Sequence, residues 1–159
     1  MNIPANREPI NERLFPLQGE LNESIIDADI LGAVIAIRDS GIETIASNSG
    51  VGEIGSERGW GSFIQIALTQ TQADNRLAER VLKFADDISQ HIRVELGNRE
   101  IALQLVSAER WHEDRNTTSL DSRFPIYRLQ LVGPSHDDEI RYAWTKVAKS
   151  FDLPELTVS

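Results

Sequence analysis

The chain of 159 residues contains no cysteine. This absence excludes disulfide bridges, iron–sulfur clusters, thiolate zinc sites and cysteine nucleophiles. The longest apolar run covers residues 30–37 and is far too short to span a membrane. The first nine residues also lack the apolar core of a secretory signal. Together these absences predict a cytoplasmic protein without a membrane anchor.

Positive charge is also scarce. The chain has 16 Lys and Arg against 25 Asp and Glu, which gives a net charge of −9. A net negative field repels phosphate backbones, so generic nucleic-acid binding is disfavoured. The same charge suits a basic partner or a metal ion. The P-loop pattern G-x-x-x-x-G-K-S/T does not occur, so that phosphate cradle is excluded.

The apolar content, by contrast, is that of a folded protein. Hydrophobic residues make up 40% of the chain and charged residues 26%. This is enough apolar material for one core, and the length suits one domain. Residues 1–22 carry three prolines and several polar side chains. They predict an extended N-terminal arm, followed by a single domain over residues 23–159.

Hydrophobic periodicity and turn residues predict the order of the elements. An apolar helix over residues 25–40 precedes strands over 42–46 and 62–69. A long amphipathic helix over 71–92 follows. Residues 93–96 and 99–108 predict a β-hairpin around Gly97 and Asn98. A strand over 124–132 and a last helix capped by Ser135 complete the domain.

The short connections between strands favour an α+β fold with a mostly antiparallel or mixed sheet of four or five strands. About three helices would pack mainly on one face, since the strands alternate apolar and polar residues. The other face would then present Gln65, Gln104, Arg128 and Gln130.

The glycine-rich stretch between the first two strands is the main candidate site. Residues 50–61 contain five glycines, which imply sharp turns, close backbone approach or mobility. The spacing of Gly50, Gly52 and Gly55 spells G-x-G-x-x-G. No helix begins within this motif, however, and a dinucleotide site needs one.

A second interpretation of this stretch is an anion nest, in which Ser47, Ser49 and the amides of residues 50–52 hold a small anionic ligand. Arg58 would supply charge and Trp60 a stacking surface. The alternative is a surface loop that only connects two strands. The predicted ligand-binding residues are Ser47, Asn48, Ser49, Gly50, Gly52, Arg58, Trp60 and, if the two polar loops meet, Trp111.

The stretch around Trp111, His112 and Glu113 is the second concentration of reactive side chains. His112 and Glu113 are candidates for acid–base chemistry. Adjacent residues rarely converge on one point, however, and no second histidine lies near in sequence. The alternative is a charged loop in which Trp111 shields the core. The sequence predicts no metal site and identifies no cofactor.

The first half of the domain resembles a known family. An apolar helix, a strand that ends in Thr-Ile-Ala-Ser-Asn-Ser-Gly over residues 44–50, then Trp60, an apolar strand and a long helix are similar to the methyltransferases of tRNA wybutosine synthesis. The resemblance covers residues 27–92 and implies a shared scaffold in which Ser47, Ser49, Gly50 and Trp60 line a binding cleft. It does not carry over the activity, because Asn48 and Val51 stand where the family has a cysteine and a basic residue.

The sequence leaves three functions open. The leading hypothesis is a small acidic binding or regulatory module that uses the Gly/Ser loop over residues 47–61 for a protein partner or a small anion. The second is a small enzyme acting on a nucleotide or RNA-like substrate, in which His112 or Glu113 would handle protons. The third is an oligomerisation or protein-inhibitory module, which the unusually apolar first helix suggests.

Overall fold

The computed structural model describes residues 26–56, 61–107 and 125–152. Within these ranges the elements are α1 (Ala28–Asp39), β1 (Glu43–Asn48), β2 (Ser62–Ala67), α2 (Gln70–Asp74), α3 (Leu77–Leu96), β3 (Ala102–Ser107), β4 (Ile126–Val132) and α4 (Asp137–Ser150). The arm predicted for residues 1–22 and the loop around Trp111 lie outside them. No helix in these ranges is long and apolar enough to cross a membrane.

The four strands form one antiparallel sheet in the order β1-β2-β4-β3. β1 and β2 are a hairpin, whereas β4 lies between β2 and β3 although it follows both in the chain. The chain crosses from β2 to β3 through α2 and α3. This architecture confirms the predicted α+β fold of a single domain with an antiparallel sheet.

One hydrophobic core lies between the sheet and the helices α1, α3 and α4. The strands β2, β3 and β4 contribute alternate residues to it, because successive side chains point to opposite faces of a sheet. The short helix α2 has no buried residue. The largest buried side chains of this core include Trp144, Ile30, Ile37, Ile64, Ile66, Leu77, Ile92, Leu103 and Leu129.

The other face of the sheet carries the four polar residues that the alternation of apolar and polar positions assigns to it, namely Gln65, Gln104, Arg128 and Gln130. The Gln130 amide donates to Gln104 Oε1 at 3.2 Å. The Arg128 guanidinium lies 3.7 Å from the centroid of the Phe63 ring, and burial lowers the pKa of Arg128. Gln65 is only 1% exposed. The prediction that Gln65 faces solvent is therefore wrong. Its neighbours on this face include Phe63 and its cross-strand partner Arg128, whose guanidinium lies over the Phe63 ring.

The helix predicted over residues 71–92 is interrupted near its start. Thr69 caps α2 with a capping box, in which its hydroxyl accepts from Gln72 N and its own N–H donates to Gln72 Oε1. The helix then stops at Asn75. Arg76 adopts a left-handed conformation with φ 62°, and α3 begins at Leu77. The cap at Thr69 and the left-handed backbone at Arg76 thus divide a continuous amphipathic pattern into two helices.

The hairpin predicted around Gly97 and Asn98 is wrong. Residues 93–96 continue α3, whose apolar stripe extends past Ile92 to Leu96. Gly97 ends the helix in the left-handed region with φ 66°, the conformation of a helix C-terminus rather than of a primed hairpin turn. The described sheet therefore has four strands.

The outer edge of β3 is partly covered by α3. The Ser89 hydroxyl accepts from Leu103 N at 2.8 Å and lies 3.2 Å from Leu103 O, which it can also reach as a donor. Arg93 Nε donates to Ile101 O at 2.8 Å. These side chains satisfy backbone groups that an edge strand otherwise leaves open.

The start of α4 also differs from the prediction. His136, not Ser135, is the N-cap residue, and its side chain forms no capping hydrogen bond. Glu139 replaces that cap: its buried carboxylate accepts from Ser135 N at 2.7 Å and from Asn98 Nδ2 at 2.8 Å. Glu139 thereby ties the end of α3 to the start of α4.

Candidate binding cleft at the glycine loop

The connection between β1 and β2 approaches the start of β2 closely. Gly50 is buried with φ 79°, and a Cβ atom at this position would lie 3.0 Å from Ser62 Cβ. A side chain here would need both an unfavourable backbone conformation and a displaced neighbour. Gly50 is thus required by the packing of the hairpin.

Glu53 clamps the two ends of this connection. Its Oε2 accepts from Asn48 Nδ2 at 2.9 Å, and its Oε1 accepts from Gly61 N at 3.1 Å. Asn48 Nδ2 also donates to Gly61 O at 2.6 Å. These three bonds close the loop at its base and assign Asn48 a structural role.

Carboxylates from two helix starts hold the glycine loop from outside. The Ser49 hydroxyl donates to Asp27 Oδ2 at 2.6 Å and accepts from Val51 N at 3.1 Å. Gly52 N donates to Asp137 Oδ1 at 3.0 Å. Asp27 precedes α1 and Asp137 opens α4. Two amides of the predicted anion nest, those of Val51 and Gly52, are therefore already bonded to groups of the chain itself.

A cleft of about 260 Å³ lies beside the loop. Loop residues form its wall. Buried apolar side chains near the end of β4 and in the first turn of α4 form its floor. Ser62 also lines it, and its hydroxyl accepts a buried hydrogen bond from Trp144 Nε1 at 2.6 Å. The described lining residues are Gly50, Glu53, Ile54, Gly55, Ser56, Gly61, Ser62, Leu131, Pro134 and Ile140.

The surroundings of the cleft are acidic. Besides Asp27 and Asp137, the first turns of α1 and α4 carry Asp29 and Asp138. Arg141 bridges these two, at 3.3 Å from Asp29 Oδ1 and 3.2 Å from Asp138 Oδ1. In the described ranges, no group of three or more His, Asp or Glu side chains is arranged to hold a metal ion.

The structure brings together part of the predicted site. Asn48, Ser49, Gly50 and Gly52 lie in or beside the loop of the cleft. Ser47 lies within β1, where a β-bulge between Thr44 and Ala46 shifts the register; Ser47 pairs with Ile64 and faces the helices. Arg58, Trp60, Trp111, His112 and Glu113 are outside the described residues.

Three residues that hold the loop were not predicted as part of it. Asp27 and Asp137 lie at helix starts, and Glu53 is one of the variable positions of the G-x-G-x-x-G pattern. The positions of Asp27 and Asp137 at helix starts can be predicted from the sequence. Their contacts with the loop cannot be predicted in this way, because Gly52 and Asp137, for example, are 85 residues apart.

No protein-family model, curated protein or solved structure matches this chain. The resemblance of residues 27–92 to wybutosine-synthesis methyltransferases stays a prediction. A functional proposal therefore depends on the geometry and charge of the cleft.

Proposed function

We propose that this protein is a non-catalytic binding module whose glycine-loop cleft receives a side chain of a protein partner. The observation that carries the proposal is that polar groups of the loop form hydrogen bonds with other residues of the chain. Glu53, Asp27 and Asp137 hold the described part of the loop in place through Asn48, Ser49, Gly52 and Gly61, so these residues lose little conformational entropy when a partner binds. A preorganised wall beside an apolar floor suits recognition of a partner surface.

The size of the cleft favours this proposal over an enzyme that acts on a nucleotide. Small-molecule sites usually enclose about 300–1,000 Å³, whereas the cleft measures about 260 Å³. A nucleotide phosphate would also compete with the Asp137 carboxylate for Gly52 N. Both arguments favour insertion of one side chain from a larger partner.

The exposed apolar residues point to the same place. In the described ranges, Ile54 is 42% exposed and lies on the cleft. Leu82, Val94 and Val106 are also exposed, but none of them lines the cleft. Leu82 and Val94 lie roughly 120° apart around α3 and form no common stripe, and Val106 lies on β3. The proposed binding surface is therefore centred on Ile54, and the helix α3 offers no comparable patch.

Peptide display tests this proposal. Peptides selected on the whole protein should perturb the NMR amide resonances of Gly50, Gly55 and Gly61. The substitution Ile54→Ala should lower the affinity for these peptides roughly tenfold, because the half-exposed isoleucine becomes buried in the complex. Leu82→Ala is the matched control, since Leu82 is 43% exposed but lies on α3. The proposal fails if the selected peptides perturb other amides, or if both variants bind them equally.

A further inference from the structure

Resting on this proposed function, we propose that the partner segment is basic. It places an aliphatic side chain in the glycine-loop cleft and a neighbouring Lys or Arg against the carboxylates beside the loop. The occupant is thus a cationic protein segment, and an acidic peptide or a phosphate group is disfavoured.

The carboxylates beside the loop share one kind of partner. Asp27, Glu53 and Asp137 accept hydrogen bonds only from neutral donors in the described ranges, namely a hydroxyl, an amide side chain and backbone N–H groups. Within those ranges, no Lys, Arg or His forms an ion pair with any of the three. The described residues therefore leave their negative charges without a cation at short range.

Some acidic residues elsewhere on the described surface have cationic neighbours. Asp87 pairs with Lys83 at 3.1 Å, and Glu95 with Lys146 at 3.6 Å. Arg141 bridges Asp29 and Asp138 immediately beside the cleft. The three carboxylates beside the loop have no such partner among the described residues and lie around one loop, where their combined charge attracts a cation.

The unpaired carboxylates also keep acceptor capacity. A carboxylate offers about four lone-pair positions, and Glu53 accepts two hydrogen bonds from described donors, one at each oxygen. Asp137 uses one oxygen for Gly52 N. An incoming ammonium or guanidinium group can therefore bind without breaking the bonds that hold the loop.

The floor of the cleft requires an apolar neighbour to that cation. Leu131 and Ile140 are nearly fully buried, and Ile54 and Pro134 stand at the side. A branched aliphatic side chain removes this surface from water, which stabilises the complex by about 25 cal/mol per Å² of apolar area. Specificity comes from the combination of an aliphatic side chain and a cation. A free cation does not remove the apolar floor from water, and an acidic segment is repelled by the carboxylates.

Three matched peptides test this inference. Each has a Gly-Gly flank on both sides, and the central residues are Lys-Leu-Lys, Glu-Leu-Glu or Lys-Ser-Lys. We expect Lys-Leu-Lys to shift the amides of Gly50, Gly55 and Gly61, and to bind at least tenfold more tightly than the other two. Its affinity should fall as the salt concentration rises.

Two charge-neutralising variants complete the test. Asp137→Asn keeps an acceptor for Gly52 N but removes the charge, so it should weaken Lys-Leu-Lys several-fold. Asp138→Asn makes the same charge change at a residue already paired with Arg141, and should leave binding unchanged.

The outcomes separate this inference from the proposed function. Equal binding of Glu-Leu-Glu and Lys-Leu-Lys overturns the basic partner, as does equal weakening by the two variants. If displayed peptides bind at the cleft but are not enriched in Lys or Arg, only the inference fails. If no peptide of any charge shifts the cleft amides, the proposed function fails as well.

Discussion

Gly52 and Asp137 are joined by a hydrogen bond of 3.0 Å from the glycine N–H to the Asp137 Oδ1 atom. Together with the Ser49–Asp27 bond, it attaches the loop after β1 to the starts of two packed helices, α4 and α1. The loop is therefore fixed to the helical layer, although it belongs to a strand connection. The position of the cleft wall depends on these two attachments.

Removing the Asp137 carboxylate should loosen the loop. For Asp137→Ala we expect faster hydrogen exchange at the Gly52 amide and a loss of about 1 kcal/mol in the free energy of unfolding. Asp138→Ala removes the same charge from the first turn of α4, and with it a similar helix-dipole contribution, but it does not contact the loop. Unchanged exchange at Gly52 in Asp137→Ala would contradict the proposed attachment.

Gly133 should tolerate no side chain. It has φ 79°, and a Cβ atom there would lie 2.1 Å from the Glu100 carbonyl oxygen. We expect Gly133→Ala to lower the free energy of unfolding by about 3 kcal/mol or more, since it combines backbone strain with displacement of a neighbouring chain segment. Denaturant unfolding measures this change.

Gly97→Ala is the control for that substitution. Gly97 also has positive φ, 66°, but a Cβ atom there would meet nothing within 4 Å. We expect a cost of about 1 kcal/mol, from the left-handed backbone alone. Equal costs at the two glycines would show that the close approach to Glu100 contributes nothing.

Arg76→Gly should stabilise the protein. Arg76 is the one non-glycine residue with positive φ in the described ranges, and its left-handed backbone costs about 1 kcal/mol. We expect a net gain of a few tenths of a kcal/mol, because the backbone entropy of glycine offsets about 0.5 kcal/mol or more of this cost. Glu79→Gly breaks the same exposed Arg76–Glu79 pair within α3 and should lower the thermal midpoint. We expect the thermal midpoint to rise in Arg76→Gly and to fall in Glu79→Gly.

Ser89→Ala should destabilise the edge of the sheet. It leaves the Leu103 N–H without its partner in a buried position, which costs about 1–3 kcal/mol. Ser40→Ala is the control, because the Ser40 hydroxyl donates only to the Ala36 carbonyl on the same helix. Hydrogen exchange at Leu103 should accelerate in Ser89→Ala alone; slow exchange there would contradict the role of Ser89.

Local patterns were sufficient for much of the fold. The alternation around Ile64 and Leu129 predicted two strands, and both are present as β2 and β4. The helix predicted over residues 25–40 is α1, and Gly41 follows it with φ 91°. The hairpin around Gly97 was mispredicted because Gly-Asn fits both a primed turn and a helix C-terminus. Only the apolar position of Leu96, one turn after Ile92, distinguishes the two.

The candidate site was less predictable than the fold, because its contacts join distant parts of the chain. The glycine spacing indicated a special loop, and Gly50 has the positive φ and the close approach that such spacing implies. The carboxylates that accept from the Ser49 hydroxyl and the Gly52 amide come from the starts of α1 and α4. Tertiary packing alone brings Asp27 and Asp137 to the loop, and no sequence spacing encodes it.

The strand order has a consequence for synthesis on the ribosome. β4 is the only strand in the described sheet that pairs with β3, and it lies at Ile126–Val132, late in the chain. While the chain is being translated, the β1–β2 hairpin can form, but β3 must wait for the strand that separates it from β2. The helix that carries Trp144 emerges later still. Native packing is thus completed only when nearly the whole domain has been made, and chaperones can bind the unpaired β3 until then.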